Sequence, residues 1–138
     1  MDAKRFMTAT LAGAATLFVA GYLLFGLALA DFYAANVGSA AGVERDAPLW
    51  LHLALAQLVF AAFVTLVLGW KGVSSASAGL KAGAAVGFLV ALAVDLSMYS
   101  MTHLSNLTLT LVDPLLAIVH VGIGGAVIGW VLGRGRAS

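Results

Sequence analysis

The sequence predicts an all-α membrane protein, a four-transmembrane-helix bundle of two hairpins with both termini on the cytoplasmic side. Three observations predict it. Of 138 residues, 62% are hydrophobic and only 9% are charged, whereas a soluble domain carries roughly a quarter charged residues. Four apolar runs, Phe6 to Ala30, Leu49 to Gly69, Gly79 to Tyr99 and Pro114 to Leu132, each suit a hydrocarbon core that takes about 20 helical residues to cross. With four crossings, Lys4, Arg5, Lys71, Lys81, Arg134 and Arg136 fall on one side, and only Arg45, beside Glu44 and Asp46, on the other. Short cytoplasmic loops accumulate Lys and Arg, so the basic side is the inside. The chain is read as one transmembrane domain, 1–138, with helices over about 6–30, 49–69, 79–101 and 113–133.

The first helix needs a decision, because Lys4, Arg5, an apolar run and "ALA" before Asp31 also fit a secretory signal. Its apolar run far exceeds the roughly 7 to 15 residues of a signal core, which predicts a retained helix. The following "DFYAANVGSAAGVERDAP" reads as an irregular crossing or a short surface helix. Asp46 and Pro48 predict the start of the second helix, a cap followed by a proline in the first turn, where a missing N–H costs nothing. Ser74, Ser75 and Ser77 offer caps for the third helix, and in "VDPLL" Asp113 is the expected cap of the fourth, with Pro114 at its first position. Trp50, Phe32, Tyr33 and Tyr99 fall at outer ends, Trp70 and Trp130 at inner ends, where amphipathic rings prefer the interface.

The third helix carries Gly79, Gly83, Gly87 and Ala91 at every fourth position, and the fourth carries Gly125, Gly129 and Gly133. Such stripes let backbones approach closely, and close packing drives helix association in lipid. Gly83, Gly87, Gly125 and Gly129 are expected to pack the two helices within one chain, in preference to a homo-oligomer or partner-subunit face.

The third-helix ladder continues to Asp95, Tyr99 and His103, drifting by about 40° per turn, so Asp95 is expected to point into the bundle. Other ionisable groups share its depth in the outer half: Asp31 at the end of the first helix, His52 one turn into the second, Asp113 and His120 in the fourth. Seven residues are nearly two turns, so Asp113 and His120 share a face about 10 Å apart along the axis. Gln57 and Tyr22 are deeper polar groups. Asp113 also reads as a cap alone, Asp31 and His52 as solvated at the interface, and His120 as a core histidine donating to a backbone carbonyl. Asp95 is the strongest candidate, because a carboxyl at membrane depth must be protonated or paired; His120, His52, Tyr99 and Tyr22 are its candidate partners.

Composition narrows the chemistry. Without cysteine there is no disulfide, thiolate nucleophile or cysteine metal site, and HxxxH or HExxH spacing is absent, so no metal site is expected. The +1 net charge argues against nucleic acid. Little sequence lies outside the four runs, which predicts a protein that is not an enzyme. "NLT" at Asn106 matches a glycosylation sequon, read as chance so close to the membrane. Three readings follow. The first is an assembly unit or accessory subunit of a membrane complex, with a tight core and the Asp95 cluster fixing helix register. The second is a small transporter or proton-linked channel, with a water-accessible cavity reaching Asp95 from outside. The third is a haem or chlorin carrier, with His52 and His120 facing each other.

At "GYLLFGLALADFY" and at "AVDLSMYSMTHLSNLTLTLVDPLLAIVHVGIGGAVIG" the chain resembles a group of uncharacterised small bacterial four-helix inner-membrane proteins, a domain of unknown function. The resemblance covers nearly the whole chain and is strongest from Gly83 to Gly129, with "DLSMY" and "LVDP" its most specific parts. It implies four helices and a bacterial inner-membrane location, and it supplies no activity, cofactor or catalytic residue; Asp95 and Asp113 belong to its pattern.

Overall fold

A computed structural model describes residues 1–134, so Arg136 lies outside the described residues. The chain forms α1 (Ala3–Gly21), a π-helical segment (Tyr22–Ala28), α2 (Ala30–Ala35), α3 (Trp50–Trp70), α4 (Ala76–Met101) and α5 (Leu107–Arg134). Four stretches are long and apolar enough to span a membrane: Ala3–Ala28, Trp50–Trp70, Ala76–Met101 and Leu107–Arg134. The N-terminus, the end of α5 and the 71–75 turn share one end of the bundle, here the terminal end. The 36–49 and 102–106 connections occupy the other, the loop end.

Caps start the helices. The Asp2 carboxylate accepts from the Arg5 backbone N–H at 2.9 Å, and this bond holds its carboxyl below the ordinary aspartate range. Ser75 accepts from the Ala78 N–H at 3.2 Å to start α4, after a turn in which Gly72 takes φ 73°. Two caps expected from sequence are not used. The second span begins at Trp50 behind Leu49, which makes no side-chain capping bond, and Asp46 is exposed in the connection. The last span begins at Leu107, where Asn106 Oδ1 accepts from the Leu109 N–H at 2.9 Å. Asp113 therefore lies about two turns inside α5, with Pro114 fully buried within the helix. Asn106 takes the capping role earlier, and the chain accepts an internal proline, which forgoes one helix bond.

α5 is the central helix. Half of its most apolar window is buried, 50% against 11%, 22% and 17% for the other three spans in chain order. α4 packs along α5, α1 packs on both α5 and α3, and α3 and α4 scarcely meet. Glycine sets the α4–α5 spacing. A Cβ on Gly83 would lie 2.5 Å from the Val121 carbonyl oxygen, one on Gly87 2.6 Å from that of Ala117, and one on Gly129 2.9 Å from the Gly79 Cα. The two stripes thus face each other within one chain. The terminal half is tightly filled by Ala9, Val64, Leu68, Val73, Val121, Ile128 and Leu132. Arg5 closes that end by donating to the Leu132 carbonyl.

At the loop end two connections are sewn together. The Asn106 N–H donates to the Asn36 carbonyl at 3.2 Å, Gly38 to Leu104 at 3.0 Å and Ala40 to His103 at 3.0 Å, with Val37 and Ser105 in an antiparallel bridge. Asn106 Nδ2 adds a bond to Asn36 Oδ1 at 3.0 Å. Asn106→Ala removes both the α5 cap and this tie, and is expected to cost about 1–3 kcal/mol. Asn106→Asp keeps the cap acceptor and is expected to lose less; thermal unfolding in detergent of the two variants checks the order.

Candidate functional site

The polar groups of the loop half are assembled by helix periodicity. On α5, Asp113, Ala117, His120 and Val121 follow at intervals that keep them on one face; on α4, Gly87, Ala91 and Asp95 do the same. α3 adds Gln57 and Phe60, the π segment adds Phe25, and α2 adds Tyr33. These residues line a cavity of about 350 Å³ between α3 and α4 over α5. Among the described residues no lysine or arginine contributes to its wall.

Tyr33 is held in place by the loop-end ties that follow α2, and its hydroxyl donates to Asp113 Oδ1. Burial, reinforced by that bond and by the negative charges of Asp113 and Asp95, raises the phenol far above its ordinary range, so Tyr33 remains a donor. Asp95 and Asp113 are close enough to repel each other as anions, and Asp95 Oδ2 is buried without a hydrogen-bond partner. Gln57 Oε1, across the cavity on α3, is also buried and unpartnered. His120 is 9% exposed, and its Nε2 lies 2.8 Å from the Leu17 carbonyl oxygen. A carbonyl only accepts, so Nε2 carries the hydrogen and, in the neutral ring, Nδ1 is left as an acceptor. The ring stands edge-on to Phe25, with centroids 5.1 Å apart.

A second cavity, about 440 Å³, lies between α1, the π segment and α3 and reaches Pro48 and Trp50 at the loop end. Phe25, Gln57 and His120 line both spaces and form the wall between them. A smaller cavity of about 170 Å³ joins Tyr33, Asp95 and Asp113 to Ser105 and Thr110 beneath the 102–106 loop. The acid pair thus borders spaces leading to the loop end, whereas the terminal half is packed. The terminal half, with a space of only about 60 Å³ between Met1, Arg5, Gly69, Val73 and Leu132, comes nearest to the tight core that the assembly reading expects.

Of the six residues expected in the cluster, Asp95, Asp113 and His120 meet. Tyr99, His52 and Asp31 share their depth and line none of these cavities. Rotation explains each. At 100° per residue, His52 points about 140° away from Gln57 on α3, and Asp31 about 160° away from Tyr33 on α2; both are exposed. Tyr99, one turn beyond Asp95 on the drifting α4 ladder, is 42% exposed. His52 and His120 therefore do not converge as a ligand pair, and among the described residues no group of three histidine or acidic side chains is placed to hold a metal ion. Sequence reasoning had set Tyr33 among the interface aromatics and Gln57 apart from the cluster.

Comparison with known proteins finds no matching family model, no similar curated protein and no similar solved structure. Fold and site together define a multi-pass helical membrane protein, four candidate spans packed as one bundle. Within its loop half two carboxyls share a cavity with His120 and, among the described residues, no lysine or arginine.

Proposed function

We propose that the chain is a small, non-enzymatic transporter-type protein in an outward-open arrangement, with the loop end outside and the Asp95, Asp113 and Tyr33 group as its solute or proton site. The observation that carries this is the asymmetry of the bundle: a cavity of about 170 Å³ joins Asp95 to Ser105 at the loop end, while the terminal half is packed around a space of only about 60 Å³. There Ile128 occupies the space beside Gly13, where a Cβ would come within 2.6 Å of it, and Leu17 does the same beside Gly124. Carboxyls facing a cavity at membrane depth are costly without a function to hold them there. The distribution of Lys and Arg supports cytoplasmic termini. An accessory subunit or homo-oligomer has one observation in its favour: α3 and α4 scarcely touch, and a partner helix seated between them would cover the cavity. Co-purification in mild detergent tests that reading.

Because the chain lacks cysteine, single cysteines report access directly. Ala91→Cys, one turn from Asp95 on the cavity wall, is expected to react in intact cells with a membrane-impermeant methanethiosulfonate. Leu89→Cys, on the opposite side of α4 and 63% exposed on the outer surface of the bundle, is expected not to. Equal inertness of the two would mean a dry interior and would sink the outward-open reading.

A further inference from the structure

We infer that the ligand of the Asp95 cavity is a small organic cation, a primary or secondary ammonium carried on an apolar body. This deepens the outward-open reading and rests on it. The wall states what is missing. Two buried oxygens on different helices, Asp95 Oδ2 and Gln57 Oε1, have no donor, whereas Asp113 is already engaged by Tyr33. A ligand that donates a hydrogen bond beside Asp95 therefore finds an acceptor that no protein group occupies.

Charge selects the donor's sign. An anion would meet two carboxyls and, among the described residues, no lysine or arginine, and a neutral alcohol would satisfy a lone pair without bringing charge to the carboxyl pair. An ammonium supplies both a donor and a positive charge, and charge-assisted bonds of this type are the strong ones. His120 does not compete for the role, since its Nε2–H is committed to the Leu17 carbonyl.

Shape and lining select an organic cation over a metal ion. Among the described residues no set of three acidic or histidine side chains converges, while hard cations demand six or more oxygens around them. The rest of the wall is apolar and aromatic: Phe25, Phe60, Val90, Val94, Ala117 and Val121. Ring faces attract a cation, and the aliphatic wall suits a hydrocarbon body. The volume, about 350 Å³, lies at the lower end of small-molecule sites, which run from roughly 300 to 1,000 Å³.

The test uses Ala91→Cys with two impermeant reagents of opposite charge, trimethylammonioethyl and sulfonatoethyl methanethiosulfonate. Each rate is divided by the rate at Ser39→Cys in the exposed 36–49 connection. The cationic reagent is expected to be favoured at the cavity by about tenfold through charge attraction alone, since its quaternary nitrogen has no N–H to donate. Benzylammonium is expected to protect the thiol, whereas benzyl alcohol and benzoate are not. Asp95→Asn in the same background is expected to remove both the preference and the protection, and Asp95→Glu to retain them, which separates loss of charge from loss of fold. Labelling by both reagents at equal relative rates, without protection by benzylammonium, leaves the outward-open reading intact and overturns the cation. Failure of both reagents to reach Ala91→Cys overturns the outward-open reading first, and the cation site with it.

Discussion

Gly125→Val is expected to prevent α4 from closing on α5, with a loss of about 3 kcal/mol or more, at or beyond the upper end of ordinary overpacking. A Cβ at this position would lie 2.8 Å from the Gly83 Cα and 3.2 Å from the Gly83 nitrogen, and it would run into the Gly79 carbonyl oxygen. All three obstructing atoms are backbone, so no rotamer change relieves the clash and the helices must separate. Separation is expensive in lipid, where helix association depends on packing contact and not on exclusion of water. α5 is also the helix on which both α1 and α4 rest, so the loss spreads beyond one pair. Gly122→Ala provides the contrast. Its added Cβ would find its nearest neighbours, the Ala84 Cβ and the Leu80 carbonyl oxygen, at 3.6 Å. That is ordinary contact, expected to shift stability within about 0.5 kcal/mol. Thermal unfolding of both variants in one detergent decides the matter: if Gly125→Val melts with Gly122→Ala, the glycine seam does not set the helix spacing.

What the sequence makes legible here is depth, and what it hides is azimuth. The need for about 20 apolar residues per crossing is local, so four spans follow from counting, as does the level at which Asp95, Asp113 and His120 sit. The glycine repeats are local too, and a stripe repeating every four residues names the face on which a helix can be approached closely. Which way His52 or Asp31 turns depends on the neighbour its helix meets, and that information is not in either segment. Tyr33 escaped for the same reason. It reaches Asp113 because residues 36–40 are bonded to residues 102–106, a pairing between segments about 65 positions apart in the chain. The start of α5 was a different kind of miss. "VDP" carries a cap and a proline in the preferred order, and Asn106 carries an equally good cap seven residues earlier. Asn106 wins because its amide also bonds Asn36, a contact that only the folded chain supplies.

His120→Ala is expected to have the second large effect, and it bears on function as well as on stability. The ring is nearly enclosed, bonds α5 to α1 through the Leu17 carbonyl at 2.8 Å, and fills the wall between the two larger cavities together with Phe25 and Gln57. Truncation removes one net hydrogen bond and most of a ring from a packed site, expected to cost about 2–4 kcal/mol in all. His120→Phe keeps the ring volume and loses the donor, so it isolates the bond and is expected to cost about 1 kcal/mol. The functional consequence differs between the two variants. Alanine opens the wall and joins the acid-lined space to the space beneath Pro48 and Trp50, so a thiol at position 91 is expected to be labelled faster from the loop end. Phenylalanine keeps the wall and is expected to leave the labelling rate unchanged. A slower rate in His120→Ala than in its parent would mean that the two spaces collapse instead of merging, and that the route to Asp95 runs through the opening beside Ser105 and Thr110 alone.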